Sequence, residues 1–118
     1  MQRLTRTEEE IMRVVWNSED ETISMTDLLE ELRKTKRESY ARTTLVTLIG
    51  KIIEKGYVTT IRKGKSAFVC SKVKLEEYKA FVMNDMVDTL YKGDYEAAKY
   101  VIVQIQNQKT LCQKGVCK

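Results

Sequence analysis

Arg42-Thr43-Thr44-Leu45-Val46-Thr47-Leu48-Ile49-Gly50-Lys51-Ile52-Ile53-Glu54-Lys55-Gly56, continuing as Tyr57-Val58-Thr59-Thr60-Ile61-Arg62-Lys63-Gly64-Lys65-Ser66-Ala67-Phe68-Val69-Cys70, is the stretch on which the fold turns. In its first half Leu45, Leu48, Ile49, Ile52 and Ile53 recur at three- and four-residue steps, the period of a helix with one buried side. Gly56 supplies the left-handed stop. The other side of this helix carries Arg42, Thr43, Val46, Thr47 and Gly50, with Lys51 on the flank. Short polar side chains, a glycine and flanking cations suit a helix lying close against a DNA groove. After Gly56 the period changes. Tyr57–Ile61 and Ala67–Cys70 are rich in β-branched and aromatic residues and enclose Arg62-Lys63-Gly64-Lys65-Ser66, so they predict a β-hairpin with a basic, glycine-bearing turn.

Upstream, the spacing predicts two more helices. Thr5-Arg6-Thr7-Glu8 and Thr7-Glu8-Glu9-Glu10 each fit a capping box, and the glutamates sit where the helix dipole favours negative charge. Ile11, Met12, Val15 and Trp16 follow at helical spacing, and the polar stretch Asn17–Thr22 ends the first helix near Trp16. Ser24-Met25-Thr26-Asp27 reads as the next N-cap, with Met25, Leu28, Leu29 and Leu32 as one apolar stripe. Arg33-Lys34-Thr35-Lys36-Arg37 closes that helix with cations at the negative end of its dipole. Three helices followed by a basic hairpin is the order of a winged helix-turn-helix, in which the third helix enters the major groove and the hairpin lies along the backbone.

Downstream of Val73 the chain turns helical again. Tyr78, Val82, Met86 and Leu90 share one stripe with Leu75, and after Gly93 a second stripe holds Val101, Ile102 and Ile105 beside Ala97 and Ala98. So small a head offers these helices little to cover, so they are expected to be buried against a second copy. The expected organisation is mainly α: a winged-helix domain over 1–72, a helical dimerisation region over 73–107, and a polar, disordered tail over 108–118.

Charge is unevenly spread over the 118 residues. Residues 1–32 hold three basic and nine acidic side chains, whereas 33–65 hold ten basic against Glu38 and Glu54. A basic middle of this kind is what a polyanion-binding surface produces. There is no histidine, which removes imidazole bases and imidazole metal ligands. Gly64-Lys65-Ser66 lacks the upstream glycine-rich loop of a phosphate-binding motif. No catalytic residue, cofactor or enzymatic activity is therefore expected. No apolar run reaches the roughly 20 residues of a membrane span, and the N-terminus lacks a secretory core, so a cytoplasmic protein without membrane insertion is expected. Three cysteines make a poor disulfide framework. Cys112 and Cys117, doubled across a dimer, offer four thiolates to zinc or copper(I), but inert thiols on a polar tail are the preferred reading and no metal site is assigned.

The first seventy residues resemble the penicillinase-repressor family of bacterial transcription regulators, the BlaI/MecI/CopY group. The matching stretches are Leu4-Thr5-Arg6-Thr7-Glu8-Glu9-Glu10-Ile11-Met12-Arg13-Val14-Val15-Trp16, Tyr40-Ala41-Arg42-Thr43-Thr44-Leu45-Val46-Thr47-Leu48-Ile49, and its continuation through Gly56-Tyr57-Val58. The resemblance implies a repressor that binds an inverted-repeat operator in double-stranded DNA as a homodimer. It places Arg42, Thr43, Thr44 and Thr47 against bases and nearby phosphates, and Lys63 and Lys65 on the wing. It further implies control of β-lactam resistance genes, with a membrane sensor-protease acting indirectly. Departures are visible. Gly50 stands where a polar residue is common, and Ser71-Lys72 replaces a Ser-Pro. Penicillin-responsive members are cleaved at an asparagine-phenylalanine bond, whereas Phe68 and Phe81 both follow alanine here. Copper-responsive members carry paired Cys-x-Cys motifs, whereas Cys112 and Cys117 are single. The alternatives are a copper- or zinc-responsive repressor using the tail cysteines, and a winged helix that binds only protein, whose mark would be an exposed apolar face on the third helix.

Overall fold

The computed structural model describes residues 1–35 and 40–113, with the side chains of 110–113 left aside. The chain divides into two compact units, Met1–Tyr78 and a second beginning at Lys79. The first contains α1 (Arg6–Trp16), a 3₁₀ turn (Glu19–Glu21), β1 (Thr22–Ser24), α2 (Met25–Thr35), α3 (Arg42–Glu54), β2 (Val58–Lys63) and β3 (Ser66–Ser71), followed by the first turn of α4 (Leu75–Leu90). The second holds the rest of α4 and α5 (Tyr95–Gln113).

Of the two capping boxes open to α1, the one at Thr5 forms. Its hydroxyl accepts from the Glu8 N–H at 3.2 Å, and its own N–H donates to Glu8 Oε1 at 2.8 Å. Ile11, Met12 and Val15 are thereby turned inward and fully buried. Ser24 accepts from the Asp27 N–H at 3.1 Å to start α2, which buries all four residues of its stripe. In α3 only Leu45, Ile49 and Ile52 are buried; Leu48 is half-buried and Ile53 is exposed. The helix ends in a full Schellman motif. Gly56, at φ +87°, donates to the Ile53 carbonyl, and the Tyr57 N–H donates to the Ile52 carbonyl. Strand β2 starts at the next residue, so α3 and the wing are joined by a short, hydrogen-bonded link.

The sheet has three antiparallel strands in the order β1-β3-β2. The hairpin is in the expected place and longer than expected, with Lys63 paired to Ser66 across a two-residue turn. Gly64 opens that turn at φ +63°, a conformation that costs glycine nothing. The third strand, β1, was not expected: three residues pairing Thr22–Ser24 with Phe68–Cys70 are too few to show a period.

Among the described residues, one charged side chain lies in the core. Glu8 is only 2% exposed, and its carboxylate takes the Lys55 ammonium at 2.6 Å, tying the start of α1 to the end of α3. Burial alone would push this carboxyl up, but the Lys55 hydrogen bond and charge together with the Thr5 N–H outweigh it and hold it below its ordinary value.

Tyr78 belongs to this first unit. It is buried, receives the Leu4 N–H at 3.2 Å, and donates its hydroxyl to Glu9. Its ring lies 5.4 Å from that of Trp16 and edge-on to Tyr57 at 5.5 Å. Burial, and then the Glu9 hydrogen bond, drive the phenol far above its ordinary pKa. The first unit therefore ends at Tyr78 and not at residue 72, and the expected dimerisation stripe loses its first member to the head's own core.

In the second unit Asp94 caps α5 by accepting from the Ala97 N–H at 3.1 Å. Among its described residues Val87 and Ala98 are buried. Helix α5 continues to Gln113, beyond the point at which the polar tail was expected to begin, because Lys109, Leu111 and Gln113 all favour a helix and no glycine intervenes before Gly115. Residues 114–118, including Cys117, lie outside the described residues, and Cys112 is described by its backbone alone.

Candidate nucleic-acid interface

Helix α3 presents its polar side to solvent with its geometry largely set in advance. At about 100° per residue, Thr43, Val46, Thr47 and Gly50 fall in one sector opposite Leu45, Ile49 and Ile52. Arg42, Thr43, Thr44, Thr47 and Lys51 are all exposed. The Thr47 hydroxyl donates to the Thr43 carbonyl at 3.0 Å, which fixes its rotamer. Its proton is thus already used. What Thr47 offers outward is an oxygen able to accept from a base amino group, and a methyl.

The start of the helix is also open. Its N-cap is Ala41, which gives no side-chain hydrogen bond, and its first turn carries no acid. Among the described residues no side chain caps the first backbone N–H groups, the geometry in which a helix start takes an anion, and Arg42 stands among them. On the approach to the helix, the Arg33 guanidinium donates to the Tyr40 carbonyl at 2.8 Å, fixing the residue before Ala41. Among the described residues, carboxylates appear on this side only at Glu54, in the last turn.

On the wing, Arg62, Lys63 and Lys65 are exposed around the Gly64 turn. The Lys63 ammonium stands 5.8 Å from the centre of the Phe68 ring on the neighbouring strand. Not every cation of the basic stretch is available. Lys55 is committed to Glu8, and Lys34 pairs with Glu31 at 3.6 Å. Arg42, Lys51, Arg62, Lys63 and Lys65 have no acidic partner among the described residues.

A groove elsewhere on the first unit has the opposite character. It encloses about 720 Å³ between α1, α2 and β1, and Glu10, Glu19, Asp27, Glu30 and Glu31 line it against Arg13 alone among cations. Five carboxylates thus gather around this groove, away from the exposed cations of α3 and the wing.

Two features of this surface escaped the sequence reading: Arg62 and the start of α3, which Ala41 does not cap. Arg62 was visible as part of the basic run. The cap was not, since Ala41 is silent as to what its neighbours do. Of the residues expected to pair two copies, Val82 and Met86 are half-buried, while Leu90, Val101, Ile102 and Ile105 are exposed. Among the described residues there is no cluster of metal-binding side chains, and no helix long and apolar enough to cross a membrane.

The comparisons with known proteins agree with this architecture. A solution structure of the DNA-binding domain of the repressor BlaI superposes with a TM-score of 0.55 at 22% identity, covering 66% of this chain and 94% of that one. That likeness establishes the winged-helix fold. No curated protein matches the chain. The family model of the penicillinase repressor matches residues 4–114, nearly the whole length, including α4 and α5. The chain belongs to the penicillinase repressor family, whose members are DNA-binding transcriptional repressors and not enzymes.

Proposed function

We propose that the protein is a homodimeric, cytoplasmic repressor that binds an inverted-repeat operator through α3 and the wing. Thr43, Thr44 and Thr47 read base edges, while Arg42, Lys51, Lys63 and Lys65 hold phosphates. Phosphate contacts of this kind set the register, and base-edge contacts choose the sequence. The observation that carries the reading is the exposed side of α3, where, among the described residues, threonines and cations without acidic partners stand together with no carboxylate before Glu54. Pairing is supported by α5, on which Val101, Ile102, Val103 and Ile105 are 36–48% exposed within one chain, an apolar surface that calls for a partner. The partner committed to is a second copy, because two-fold symmetry supplies the two α3 helices that an inverted repeat requires. Control of β-lactam resistance genes, with a membrane sensor-protease acting upstream, is the physiological setting that family membership supports.

The test is selection of bound sequences from a randomised duplex pool by the full chain. The expected product is an inverted repeat with half-sites about one helical turn apart, or a multiple of that, bound by two chains per duplex. Enrichment of a single half-site at one chain per duplex would overturn the dimeric reading. Binding that shows neither enrichment nor salt dependence would overturn DNA recognition altogether.

A further inference from the structure

Two residues in the middle of the exposed α3 sector are not explained by the head's own packing. Val46 is 52% exposed on a side that otherwise carries threonines and cations. Gly50, one turn further on, sits inside a helix at a negative φ, where glycine is less favourable than alanine. A Cβ added there would meet no atom within 4 Å, so nothing in the head requires the side chain to be missing. An aliphatic branch next to an absent side chain makes a shallow apolar notch, bordered by Thr43 and Thr47.

Resting on the DNA-binding reading above, we propose that Val46 and Gly50 form a specificity notch for the 5-methyl group of one thymine in each half-site. In the major groove the thymine methyl is the one apolar group on a base edge, and aliphatic side chains recognise it by contact. Gly50 has the complementary role. Without a Cβ, the second turn of α3 approaches the base pair closely enough for the Val46 methyls to reach, while Thr47 accepts from a neighbouring base. The direction of Val46 and the emptiness at Gly50 are both needed, since a side chain at position 50 would hold the helix off.

The experiment uses the full chain and the sequence enriched from the randomised pool, resynthesised with deoxyuridine replacing thymidine at one position at a time. Uracil lacks only the methyl. One thymine per half-site is expected to weaken binding about four-fold on replacement, the ratio expected for leaving one methyl uncovered, and about fifteen-fold when both half-sites are changed. Val46→Ala is expected to bind the thymine and uracil duplexes alike at that position while still losing affinity for a scrambled one. Gly50→Leu provides the second measurement: its melting temperature should equal or exceed that of the wild type, yet its operator affinity should fall at least ten-fold. Uracil profiles that are identical for the wild type and Val46→Ala would overturn the notch. So would a Gly50→Leu protein that binds operator normally. A pool that enriches no sequence would overturn the operator reading and the notch together.

Discussion

Lys55→Met should destabilise the first unit by about 3 kcal/mol near neutral pH, one of the largest losses available from any single side chain outside the apolar core. The Lys55 ammonium is 2.6 Å from a Glu8 carboxylate that water scarcely reaches. Removing the cation leaves that charge buried with the Thr5 N–H as its remaining hydrogen-bond donor among those described. The pH dependence makes the result specific. In the wild type, Glu8 is held below its ordinary value, so its contribution is present above the usual carboxylate range and is lost as pH falls through its lowered pKa. In Lys55→Met burial acts unopposed by the ammonium and raises the carboxyl, so protonation relieves the folded state. The stability gap between the two proteins should therefore narrow as pH falls from 7 to about 4. Denaturant unfolding at a series of pH values measures it. A gap that stayed constant would show the loss to be one of packing by the lysine stem.

Ile102→Asp should convert the protein to a monomer. Ile102 is 48% exposed within one chain and lies beside Val101 and Ile105 at helical spacing, so a single copy tolerates the carboxylate. A dimer would have to bury it twice, at a cost of several kcal/mol each time. Sedimentation should show a monomer at micromolar concentration with an unchanged helical signal, and operator affinity should fall by at least a hundred-fold as each head binds its half-site alone. An unchanged dimer would place the pairing surface elsewhere than on this side of α5.

The head was legible because its signals are local. Gly56 ends a helix and Gly64 turns a hairpin through conformations that other residues adopt only under strain, and the periods on either side switch from helical to extended. What escaped was decided by tertiary contact. Tyr78 stands four residues before Val82 and continues its stripe, and periodicity shows that a side is apolar without showing what covers it. Trp16, Tyr57 and Leu4 cover this one. Ile53 shares a stripe with Ile49 and Ile52 yet is 40% exposed, so the head covers only part of the five-residue apolar stripe of α3. On the recognition side the threonines were legible as types, but the committed proton of Thr47 depends on its rotamer, which no spacing reveals. Val46 was legible on the same side from its spacing, and its 52% exposure agrees.

The central claim, that α3 reads sequence while the wing holds the backbone, is tested most directly by salt titration of Thr47→Ala and Lys65→Ala on the operator and on a scrambled duplex. In the proposed docking Thr47 and its neighbours face base edges that differ from step to step, whereas Lys65 faces phosphates that do not. Thr47→Ala should cost about 1–3 kcal/mol on the operator and little on the scrambled duplex. Lys65→Ala should weaken both by similar factors and lower the salt slope by about one ion. Should Lys65→Ala change sequence preference while Thr47→Ala lowers both affinities alike, the two roles are reversed and the account is wrong.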